Sequence, residues 1–129
     1  MSGEFLLDTS IIIDLFAGDQ QIVMQIEQAQ AVLIPSIAIG ELYYGAFKSV
    51  RREENLEQIT QLIAENTIVS SDAVTGRWYG VIKDEFRSIG RLIPENDIWI
   101  AAIARQHHLV VVTRDKHFGA VFDLDIVMW

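Results

Sequence analysis

Short, wholly apolar runs separated by helix-length segments constrain this chain more than any other feature. Phe5-Leu6-Leu7, Ala31-Val32-Leu33-Ile34 and Val110-Val111-Val112 read as buried strands. Between them the apolar residues return at helical spacing, as at Leu56, Ile59, Leu62 and Ile63. Strands alternating with helices imply an α/β sandwich, three layers around a mostly parallel sheet. The predicted strands are Phe5–Asp8, Ala31–Ile34, Thr67–Val69, Leu109–Thr113 and a weaker Asp125–Met128. The predicted helices cover Ile11–Ala17, Gln20–Gln30, Pro35 to about Ser49, Glu53–Glu65, Ser71 or Asp72 towards Gly90, and Pro94–His107. Thr9-Ser10 offers a cap for the first helix, and Gly18-Asp19 ends it and caps the second.

Against this pattern, four carboxylates stand where the chain is otherwise most apolar. Asp8 closes the first run, Glu41 is the only ionisable residue between Ser36 and Phe47, Asp97 precedes Ile98–Ala104, and Asp115 follows Val110–Thr113. Asp8, Asp97 and Asp115 each also suit a helix cap. Glu41 has no such explanation, because its helical neighbours are Ile37, Ala38, Tyr44 and Gly45. Sites in parallel α/β sheets form beyond the carboxyl ends of the strands, so all four acids can converge on one edge. Grouped carboxylates repel one another. A hard divalent cation such as Mg²⁺ or Mn²⁺ resolves that repulsion with oxygen ligands. Such an ion activates water and orients a phosphodiester, so the chemistry that fits is phosphodiester hydrolysis.

Composition narrows the classes. The 129 residues are the size of one domain, 1–129, with half the residues hydrophobic. No cysteine is present, which excludes disulfides and thiolate zinc and fits a reducing cytoplasm. The start lacks a basic secretory region, and no apolar run approaches the roughly 18 residues of a membrane span. A net charge of −8 argues against broad nucleic-acid binding. It leaves room for a local basic rim, with Lys48, Arg51, Arg91 and Lys116 foremost and Arg52, Arg87, Arg105 and Arg114 as further candidates.

The ordered motifs Asp8-Thr9-Ser10, Glu41-Leu42 with Gly45-Ala46, Asn96-Asp97 with Ile100-Ala101-Ala102, and Thr113-Arg114-Asp115 with Phe118 resemble the PIN domain. In length and spacing they resemble the VapC-type toxin ribonucleases of toxin–antitoxin modules. The resemblance runs from Phe5 to the final strand. It implies a three-layer α/β/α fold, Mg²⁺-dependent endoribonuclease activity, a homodimer and a cognate antitoxin partner. It maps the acidic quartet onto Asp8, Glu41, Asp97 and Asp115, as catalytic residues and metal ligands. Thr113 matches a position where the family often has a hydroxyl touching this cluster. The segment Gly90–Asn96 departs from the family in lacking a second glycine.

Ser10 and Asn96 are supporting candidates that would hydrogen-bond ligand carboxylates or waters. Asp14 reads as solvent-facing or capping, and His117 as a surface residue without a metal-binding helical partner. Trp78, Tyr79, Trp99 and Trp129 read as core or dimer contacts. Two other readings compete. A receiver-like phosphoacceptor module would need paired acids after the first strand, where Thr9 follows Asp8. A PIN scaffold without catalysis would not need an intact quartet.

Overall fold

The computed structural model describes residues 4–129. Its sheet is built from β1 (Glu4–Leu7), β2 (Ala31–Pro35), β3 (Thr67–Val69), β4 (Val110–Val112) and β5 (Ile126–Val127). These five strands lie in the order β3-β2-β1-β4-β5, and every pairing is parallel. The helices are α1 (Thr9–Phe16), α2 (Gln20–Gln28), α3 (Ser36–Phe47), α4 (Arg52–Glu65), α5 (Ala73–Ser88) and α6 (Glu95–His107), with a 3₁₀ turn at Lys116–Ala120.

Successive strand residues point to opposite faces, and the strands use this to build two cores. Leu6 and Val111 pack with Ile82, Phe86, Ile98 and Phe118 on the α5–α6 face. Leu7 and Val112 pack with Ile11, Ile22, Ala38, Leu42 and Ile59 on the α1–α4 face. Both faces of the strands are covered, which is why their sequences read as unbroken apolar runs.

The chain moves outward from β1 to β2 and β3, then returns across to β4 and β5. The reversal falls between β1 and β4, and it opens a crevice at their carboxyl ends. A receiver-like module instead carries the order 2-1-3-4-5, so the topology sets that alternative aside.

Most sequence-based boundaries hold to within a residue or two. The first strand ends at Leu7, and Asp8 lies just beyond it, although its N–H still reaches the Val112 carbonyl at 3.0 Å. Helix α2 stops at Gln28 and α3 at Phe47, each two residues early. The 3₁₀ turn was not expected. Gly18 does end the first helical turn region, with φ of +87°, and the Asp19 carboxylate caps α2 by accepting from the Gln21 and Ile22 N–H groups. At α5 the cap is Asp72, in a reciprocal box with Thr75.

Candidate metal centre

Asp8 occupies the N-cap position of α1, yet its side chain caps nothing. Its Oδ2 instead accepts from the Ser10 hydroxyl at 2.8 Å and the Thr113 hydroxyl at 2.7 Å. Thr113 in turn accepts the Asp115 N–H at 2.8 Å. This hydroxyl therefore ties the end of β1 to the end of β4 and fixes two acids of the crevice. Asp97, in the first turn of α6, reaches the same place from the opposite side.

Asp97 is the unusual member. Its side chain is 6% exposed, and its Oδ2 is buried with no hydrogen-bond partner. Burial, with the Asp115 and Asp8 carboxylates beside it, pushes its pKa up to about 7. Burial pulls Asp115 upward too, but the backbone N–H and imidazole of His117 outweigh it and hold that carboxyl below the ordinary value. The two neighbours are thus driven apart, one towards the proton and one towards charge, as like charges in a shared site require.

His117 is exposed, as the sequence suggests, with its side chain 52% accessible, yet it reaches two acids of the crevice. Its Nδ1 lies 2.8 Å from Asp115 Oδ1 and 3.7 Å from Asp97 Oδ2. One donor atom each from Asp97, Asp115 and His117 fall within 4.8 Å of one another. Helical spacing does not reveal it, because a 3₁₀ turn rather than an α-helix folds it back. Its position two residues past a strand-end aspartate was the available signal.

Glu41, like Asp8, lies outside that trio, and two donors hold it. Thr9 Oγ1 donates to Oε1 at 2.6 Å and Asn96 Nδ2 to Oε2 at 2.6 Å. Glu41 therefore has polar partners, contrary to the expectation from its helix alone, and they come from α1 and α6. Thr9, read as a cap, is one of them. Asn96 donates to Glu41 and Ser10 to Asp8.

Several rim candidates are occupied elsewhere. Arg105 is buried, paired with Glu85 and bonded to the Phe122 carbonyl. Arg114 bridges Asp14 at 2.9 Å and Asp19 at 3.0 Å, and donates to the Trp129 carbonyl. Asp14 is therefore an ion-pair partner. Arg87 pairs with Asp84. Lys48, Arg51, Arg91 and Lys116 form no carboxylate pair among the described residues. Trp129 is buried against Phe5, and Tyr79 stacks on Trp99.

The residues present suit a divalent cation. The buried Asp97 oxygen without a hydrogen-bond partner and the acids converging on it call for a positive charge, and the donors are oxygens and one imidazole.

Comparison with known proteins agrees with this geometry. The family model for the PIN domain matches residues 5–123. Ribonuclease VapC2 of Haemophilus influenzae is 35% identical over 129 residues, 98% of each chain. The tRNA(fMet)-specific endonuclease VapC of Shigella flexneri is 31% identical, again over 98% of each. Among solved structures, the DNA-bound VapBC of Salmonella typhimurium superposes with a TM-score of 0.92 at 29% identity, covering 98% of both chains. With the fold, the strand-end acids and these relatives in agreement, the chain belongs to the PIN-domain family, among its VapC ribonucleases.

Proposed function

We propose that this protein is a Mg²⁺-dependent endoribonuclease, the toxin of a type II toxin–antitoxin system, cutting structured RNA at a transfer RNA or ribosomal RNA loop. The observation that carries the metal-dependent reading is the buried, unpartnered Asp97 oxygen facing Asp115. Asp8, Asp97 and Asp115 would hold the ion, and Mn²⁺ would substitute for it. When bound, the ion supplies Lewis acidity and a water of lowered pKa.

The chain's own residues do the rest. Thr113 and Ser10 fix Asp8, leaving its other oxygen for a ligand. Thr9 and Asn96 clamp both oxygens of Glu41, so that its carboxylate stays oriented towards the crevice wall and positions a water. Leu7, Val112 and Ile98, each one or two residues from a member of the site, are buried, so the chain on either side of the acids is shielded from bulk solvent.

The partner reading rests on the VapBC neighbours and on a second feature. A groove of about 600 Å³ runs between α1, α3 and α4, lined by Ile13, Phe16, Leu42, Gly45 and Gln58, with Glu41 at its edge. An antitoxin segment seated there would bring a basic side chain to the acidic pocket. A homodimer is part of the same proposal, and Tyr44 and Phe47, exposed on α3, are apolar surface it would cover.

The test is incubation of pure protein with total RNA, with and without Mg²⁺, followed by mapping of the ends. Cleavage at few sites that disappears in EDTA and in Asp97→Asn is the expected result. Full-rate cutting in EDTA would overturn the metal mechanism.

A further inference from the structure

We propose that the His117 imidazole is itself a ligand of the cation held by Asp97 and Asp115, and that this nitrogen makes the centre favour Mn²⁺ over Mg²⁺. The inference rests on the metal-dependent reading above and deepens it by naming a donor and the class of ion it selects.

Spacing supports it first. Donors about 2.1 Å from a common octahedral ion lie about 3.0 Å apart in neighbouring positions. The imidazole Nδ1 is 2.8 Å from one carboxylate oxygen and 3.7 Å from the other, which brackets that value. Hydrogen bonding accounts for the shorter contact alone. At 3.7 Å the imidazole does not bond Asp97, and the Asp97 oxygen is left buried without a partner. An ion between the three atoms satisfies that oxygen and the nitrogen together.

The backbone supplies a second, independent support. The His117 N–H donates to the same Asp115 Oδ1 at 2.9 Å, so the 3₁₀ turn fixes where the ring emerges. The imidazole is presented to the carboxylates by main-chain geometry as well as by its rotamer.

Chemistry then decides the ion. Mg²⁺ is hard and takes oxygen ligands; imidazole suits first-row transition ions, and Mn²⁺ is the member of that row that shares the preference of Mg²⁺ for carboxylate and water, so of the two ions it is Mn²⁺ that gains from a nitrogen. A centre of three oxygens would discriminate weakly; one with a nitrogen separates the two ions.

The experiment uses the full chain stripped of metal and loaded with Mn²⁺. Pulsed electron paramagnetic resonance reads nitrogen coupled to the bound ion, and calorimetry gives Mn²⁺ and Mg²⁺ affinities. The wild type should show imidazole nitrogen modulation and bind Mn²⁺ more tightly than Mg²⁺. In His117→Asn the modulation should vanish and Mn²⁺ affinity should fall by about tenfold or more, with a much smaller change for Mg²⁺. The chain has three histidines, so the double variant His107→Asn, His108→Asn assigns the nitrogen even if His117→Asn does not fold; it should keep the signal. Bound Mn²⁺ without nitrogen coupling, or coupling lost in the double variant, would overturn the inference and leave the metal centre standing. Failure to bind either ion would remove the metal-dependent reading and this inference with it.

Discussion

At the scale of single residues, Asp97 sets the chemistry and also a cost. Its carboxyl titrates at about 7 when folded, against an ordinary value of 3.8. Between those values the folded chain holds a proton that the unfolded chain has released, so stability falls as pH rises through the window. Above it the ionised group exerts its full penalty, a few kcal/mol at most, taking about 1.4 kcal/mol per unit. Calorimetric melts of metal-free protein should therefore drop from pH 5 to pH 8, and Asp97→Asn should flatten the drop and melt higher at pH 8. A variant that melts lower than wild type at pH 8 would show that Asp97 serves the fold as a helix-turn acid. Glu41→Gln should lower turnover by about 10- to 100-fold, as disturbed metal surroundings do, because a carboxamide presents a donor where Thr9 or Asn96 already donates. Unchanged cleavage kinetics would remove Glu41 from the machinery. The quartet was legible because charge in apolar runs is costly. Among its tethers, Ser10, Asn96 and Thr113 were legible; Thr9 was not, because its bond to Glu41 spans 32 residues, and His117 was marked only by its place two residues past Asp115.

At the scale of elements, the strands and the six α-helices were legible from periodicity and from Gly and Pro punctuation. The 3₁₀ turn was not, since five residues carry too little pattern to identify. Nor were the links between distant elements. Arg114, just after β4, joins the last turn of α1, the cap of α2 and the Trp129 carbonyl. Charge alone had made it a candidate for the basic rim of the pocket. Arg114→Met should lower the urea unfolding midpoint, because two carboxylates and a carbonyl lose their shared donor. A midpoint within error of wild type would mark the cluster as solvated after all. Asp72→Ala removes the cap of α5 and an acceptor for Gln106. It should lower the midpoint in the same measurement.

At the scale of the whole molecule, charge governs what RNA can bind. With a net charge of −8, few phosphates are neutralised at once, so affinity for unstructured RNA should be low and selection should rest on shape. Replacing Lys48, Arg51, Arg91 or Lys116 by Gln should weaken RNA binding without moving the cut site. Each should lower the slope of log K against log salt by about 0.7 where one phosphate contact is lost. Filter binding across a salt series reads both, and an unchanged slope would exclude the residue from the path of the strand. The parallel sheet was legible in outline. Which side of β1 each later strand joins was not, since apolar runs carry no label for their neighbour.

That strand order carries a consequence in time. Asp8 and Thr113, joined by one hydroxyl, are 105 residues apart in the chain, and β4 inserts next to the first strand only after nearly everything else has been made. A polypeptide still emerging from the ribosome holds Asp8 and Glu41 without Asp97, Thr113, Asp115 or His117. The order of synthesis thus keeps the centre unassembled until the segment from Asp97 to His117 has been made and can fold against β1.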